Sequence, residues 1–189
     1  DHMNSSFLPT RLIGMLDSLE QLYQAEIAEH KLRWGGLWTN NSTQSMKDFA
    51  TIRPYYMRQF IINQFSEATD TAIVTLNVLN ATGGIVQINT LAIDNKTLGV
   101  PATAYPWSGV YFKGVPVQLV ALPQAGYQFV EWQGTGITSD TLWVDFLEDT
   151  LLTAVFQPVD TIKLLYINEI VAKNKNIASD AAGDFEDYI

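Results

Sequence analysis

The chain has 189 residues, 47% hydrophobic and 12% aromatic, enough apolar material to bury a sizeable core in one or two domains. Its net charge is -9, with acidic groups spread along the chain and clustered near the C-terminus, which excludes the basic surface a phosphate backbone needs; nucleic acid is not an expected partner. The absence of cysteine excludes disulfides, thiolate metal sites and cysteine nucleophiles, and no apolar run approaches the roughly 20 residues of a membrane span, so no membrane insertion is expected.

Asp1-His2-Met3 reads as a cloning-tag remnant, and residues 1–6 are expected to be disordered. From Arg11 to Trp34 the apolar residues Leu12, Leu16, Leu19, Tyr23, Ile27 and Trp34 recur at steps mostly of three or four, the stripe of an amphipathic helix, with Pro9 and Thr10 suited to its first turn. Gly35 and Gly36 break the pattern, and the polar run Thr39 to Ser45 reads as a turn. A second helix is expected from about Ser45 to Phe65, with Met46, Phe49, Ile52, Tyr56 and Phe60 on one face and a kink at Pro54.

From Thr71 the period changes to two. Ile73 to Val78 alternates, and Gly83-Gly84 leads into Ile85 to Asn89 as a hairpin would. Val115 to Leu122, Tyr127 to Trp132, Thr141 to Phe146 and Leu151 to Phe156 are further strand-like runs separated by Pro, Gly and Asp turns. Beyond Pro158, residues 162–171 are again strand-like, 172–183 lack a clear period, and 184–189 alternate acidic with apolar residues as an edge strand can. The expected fold is α+β, a helical hairpin followed by an antiparallel β-sandwich or β-grasp-like module. Its expected parts are residues 1–6, helices over 7–66, a β-module over 70–158, and a linker with a truncated strand over 159–189.

Three stretches resemble known families. Glu29-His30-Lys31-Leu32-Arg33-Trp34-Gly35-Gly36, then Phe49-Ala50 and Arg53-Pro54-Tyr55-Tyr56-Met57-Arg58, and finally Phe65, resemble the C-terminal helices of the CotH kinase family; the tryptophan usual near the start of the second helix is absent, with Met46 close to that point. Tyr111-Phe112, Gly114, Val117, Leu119, Ala121, Pro123, Gly126-Tyr127, Phe129, Trp132 and Gly134, closing with Leu152 to Phe156, are similar to the divergent internalin-type B-repeat of bacterial surface proteins. Ile167-Asn168-Glu169-Ile170, with Asp180, Gly183 and residues 184–189, resembles the opening of a lamin tail domain. Together these resemblances imply a secreted or surface bacterial protein whose nucleotide- and metal-binding kinase residues lie upstream.

The residues themselves point the same way for chemistry. No Gly-x-Gly-x-x-Gly, Walker loop or Asp-Phe-Gly is present to hold phosphates and magnesium, so no catalytic residue, cofactor or metal is assigned. His30 lacks a recognisable triad and reads as structural; Arg53 and Arg58 read as partners of carboxylates or aromatic rings. Glu131, Asp140, Asp145, Glu148 and Asp149 form a glycosidase pair or a calcium site only if the fold makes them converge; a solvated acidic face is the simpler account. Of the tryptophans, Trp132 follows the repeat signature and is expected in the core, while Trp107, between Pro106 and Ser108-Gly109, sits in a turn-like segment suited to ligand contact, with Tyr105 and Tyr111 beside it. The competing reading packs Trp107 over the sheet edge.

The function expected first is a structural spacer or anchoring module for an upstream kinase-like domain of the same protein. A cell-surface carbohydrate- or protein-binding adhesion module comes second, and an independent hydrolase last. Adhesion requires exposed aromatics near Trp107; a spacer requires them buried; hydrolysis requires a pocket with paired acids. The helical stripes, left without an upstream domain, are expected to promote self-association.

Overall fold

The computed structural model describes residues 1–35, 40–159 and 183, and for residues 40–42 the backbone alone. The chain divides into two compact units, Asp1–Pro158 and Val159–Ile189. The expected strand over 162–171, the edge strand over 184–189 and the lamin-tail-like segment lie outside the described residues.

Two helices open the first unit, α1 (Pro9–Trp34) and α2 (Asn40–Gln64). Pro9 stands at the first position of α1, where its missing N–H is no loss, and Gly35 ends the helix at φ 74° with its N–H on the Lys31 carbonyl. The second helix starts earlier than its apolar stripe implies, because Asn40 to Gln44, read as a turn, already form its first turns. It runs without a break through Pro54. Lys47 ties the pair together, its ammonium 2.6 Å from both the Asp17 and Glu20 carboxylates. These contacts hold the Glu20 carboxyl below its ordinary range, and those carboxylates raise the Lys47 ammonium.

The strands are β1 (Asp70–Val78), β2 (Gly84–Ile88), β3 (Leu91–Ala92), β4 (Trp107–Lys113), β5 (Val117–Pro123), β6 (Tyr127–Trp132), β7 (Thr141–Val144) and β8 (Thr150–Pro158). They form two four-stranded sheets, ordered β4-β1-β8-β6 and β3-β2-β5-β7. Alternation does the sorting: Val74, Leu76 and Val78 from β1, Val86 and Ile88 from β2, and Val117, Leu119 and Ala121 from β5 all enter one core, closed by Trp132, Ala154 and Phe156. The α+β class and the sandwich are as the sequence pattern implies. All pairings are antiparallel except β1 with β8, which is parallel.

Two local expectations are corrected. The run around Gly83-Gly84 is not a hairpin turn, since β1 belongs to one sheet and β2 to the other. The chain crosses the sandwich there because the glycines let the backbone lie against Phe156: a Cβ on Gly84 would stand 2.5 Å from that ring and 2.7 Å from the Leu122 carbonyl oxygen. Nor are residues 1–6 disordered. His2–Asn4 form a short 3-10 turn, and Asn4 and Ser5 are buried. Asn4 stays in place because its side chain bonds the open edge of β4 on both sides, accepting from the Val110 N–H at 3.0 Å and donating to the Val110 carbonyl at 2.9 Å.

Candidate functional site

The three aromatic residues expected to contact a ligand are structural. Trp107 is 4% exposed and Tyr111 6% exposed, both inside the core cluster, with Tyr105 packed against it. Trp107 is the first residue of β4, not part of a turn, and Gly109 is the flat place in that strand over which the indole lies; a Cβ there would meet the ring at 2.4 Å. Tyr105 pins a loop to β2, its hydroxyl accepting from the Val86 N–H at 2.7 Å and donating to the Ile93 carbonyl at 2.8 Å. Burial pushes that phenol up to about 12. Tyr111 donates to an Asp1 carboxylate oxygen at 3.1 Å, and burial raises its phenol as well. Trp107 is thus packed in the core rather than set on the surface.

The carboxylates are distributed rather than converging. Asp145 accepts the Gly114 N–H at 2.8 Å and so ties the end of β7 to the β4–β5 turn, while Asp149 accepts the Ile73 N–H at 2.8 Å from β1. Asp140 accepts a hydroxyl from Thr141 at 3.1 Å, and Glu131 lies at the bulge of β6. Among the described residues no three His, Cys, Asp or Glu side chains are grouped so as to hold a metal ion. His30 is exposed on α1, beside Tyr23 and Glu26. Arg53 lies over the Phe49 ring at 5.5 Å, and Arg58 donates to the Asn4 side-chain oxygen at 3.1 Å while its buried Nε has no partner.

Among the described residues, two of the open apolar surfaces bear on function. One is the groove between α1 and α2, about 530 Å³, lined by Phe7, Met15, Leu19, Phe49, Arg53 and Met57 among others. No residue of α1 is buried, and Leu22 and Phe49 are more than half exposed. The other lies beside β7, a cleft of about 430 Å³ with Trp143 and Leu147 at its rim. Trp143 is 65% exposed. The signal for it was present in the sequence: in Thr141-Leu142-Trp143-Val144, two aliphatic residues facing the core put the indole on the opposite face.

A family model for the divergent InlB B-repeat domain matches residues 89–160. No curated protein and no solved structure matches the chain. The match supports the repeat-like character of the β-module, read above from residues 111–156. It does not reach the helices or the segment after residue 160, where the CotH and lamin-tail resemblances rest on the quoted motifs alone. No helix among the described residues is long and apolar enough to cross a membrane.

Proposed function

We propose that the chain is a non-catalytic accessory region of a secreted or surface CotH-kinase-like protein, in which the B-repeat-like module spaces or anchors the kinase-like domain outside a bacterial cell. The observation that carries this reading is the contrast between the two halves of the described unit. The sandwich closes its own core, whereas the hairpin leaves an apolar groove and a row of half-exposed aromatics from Phe49 to Phe60. A helix pair of this kind is stable only when another layer covers it. The covering layer is the remainder of a kinase-like domain, which also carries the residues for phosphoryl transfer.

Hydrogen exchange on a parent chain extended upstream through that domain tests the proposal. The amides of α1 and α2 should slow by at least about tenfold relative to the 189-residue chain. Unchanged exchange beside a folded upstream domain would refute it. A second reading, adhesion, is favoured by one observation: Trp143 offers a large exposed aromatic face beside a cleft. In this reading the contact residue moves from Trp107 to Trp143.

A further inference from the structure

Among the described residues the two sheets present four edge strands, β4, β6, β3 and β7, and at three of them the chain itself takes an outward backbone N–H group. Asn4 takes both outward groups of Val110 on β4. The β3 strand has only two residues, and the N–H of neighbouring Thr90 is taken by the Asp1 carboxylate at 3.1 Å. The β6 strand is bulged between Phe129 and Glu131, and its Trp132 N–H is used by the Ile137 carbonyl of its own loop at 2.9 Å. Such devices stop one sheet from adding a strand of another.

Among the described residues, the β7 edge has one outward group taken, the Thr141 carbonyl, and no bulge. The Ala121 N–H bonds the Asp140 carbonyl at 2.8 Å, which sets the alternation of the β5–β7 ladder. Val120 with Thr141 and Gln118 with Trp143 are then the pairs that do not bond each other, so Trp143 turns its backbone N–H and C=O to the open side. The Thr141 carbonyl, next on that side, accepts the Ser139 hydroxyl at 2.8 Å. No proline, lysine or bulge interrupts these four residues. Beside them runs the cleft, floored by Ile137, Leu142, Phe146 and Leu152. A strand laid along β7 would place alternate side chains on that floor and the others across Trp143.

Charge selects the occupant. Exposed Asp140 and Asp145 stand at the two ends of β7, with Glu148 further along the cleft. Two copies of β7 paired antiparallel through Thr141 and Trp143 would set the Asp140 end of one strand beside the Asp145 end of the other, like charge at both ends of the seam, which disfavours a second copy of this chain. We propose that β7 is a docking edge for a partner protein's extended segment, with alternating apolar residues and flanking lysine or arginine. This inference rests on the adhesion reading and narrows it to a peptide strand held by backbone pairing.

The test titrates the synthetic peptide Lys-Lys-Val-Thr-Val-Thr-Val-Lys-Lys into the full chain, followed by backbone amide resonances, with cellopentaose titrated in parallel. The expected result is a saturable shift of the Trp143 amide by the peptide. N-methylating alternate peptide residues on the pairing edge should weaken binding by about tenfold or more, and replacing the lysines by glutamates should weaken it by a similar factor. The N-methylated peptide interrogates the bond in unaltered protein, so the result does not depend on a β7 variant folding. Absence of saturation at millimolar peptide, or binding indifferent to N-methylation, overturns the proposal. If cellopentaose alone binds at Trp143, adhesion stands and the strand proposal falls; if neither binds, both fall.

Discussion

Asn4 supplies with one amide side chain the two bonds that a neighbouring strand would supply at Val110, and it does so while buried. Replacing it by alanine leaves a buried N–H and carbonyl unpaired, so Asn4→Ala should cost about 1–3 kcal/mol in urea unfolding. Two tryptophans of opposite fate give a paired prediction. Trp107→Ala empties the core and should cost about 3–5 kcal/mol, whereas Trp143→Ala should change stability by no more than about 0.5 kcal/mol, both read from thermal melts. Asp94 gives a pH dependence. Burial alone would raise its carboxyl, but the N–H groups of Lys96 and Thr97 and the Thr97 hydroxyl together outweigh burial and hold it below the ordinary range. Its folded value is thus depressed. The stability it contributes is present above the unfolded carboxylate pKa of about 3.9 and is lost as pH falls through the folded value, so Asp94→Ala should flatten the acid decline of the melting temperature. At this scale the sequence misleads where a residue's neighbour decides its fate: Ser108-Gly109 looks like turn chemistry, yet Gly109 is the space the Trp107 indole fills.

For whole elements, what could be read depended on periodicity. The stripe from Leu12 to Trp34 and the alternation from Ile73 to Val78 located α1 and β1 to within a few residues. The first turns of α2 escaped because Asn40 to Gln44 carry polar side chains that favour turns when nothing else holds them. Strand β4 escaped because Pro106 and Gly109 punctuate it, and β3 because two residues show no period. Partner choice is a further layer: alternation says which side chains face inward, not which sheet a strand joins, so the β1–β2 crossing was read as a hairpin. That crossing is testable. Gly84→Ala drives a methyl into Phe156 and the Leu122 carbonyl and should destabilise the chain by about 1–3 kcal/mol by chemical denaturation.

For the molecule as a whole, the helical groove and the closed sandwich make different demands on solution behaviour. With Leu22, Phe49 and Tyr55 largely exposed, the chain on its own should show concentration-dependent mass in sedimentation equilibrium. Phe49→Glu should shift it toward monomer, and a monomer at high concentration without that change would count against the open-groove account. The family match begins at Asn89, yet β1 lies between β4 and β8 in one sheet and β2 lies beside β5 in the other. A piece cut at the match boundary would therefore lack a strand from each sheet.

The parallel partner of β1 is β8, the last strand of the described unit, and it lies inside its sheet between β1 and β6. During synthesis every strand through β7 leaves the ribosome before the one that joins β1 to β6. Until residues 150–158 emerge, the growing chain holds two raw strand edges and half an uncovered core. Completion is thus a late, all-at-once event, and nascent chains from which residues 150–158 have yet to emerge are the species a chaperone would have to shelter.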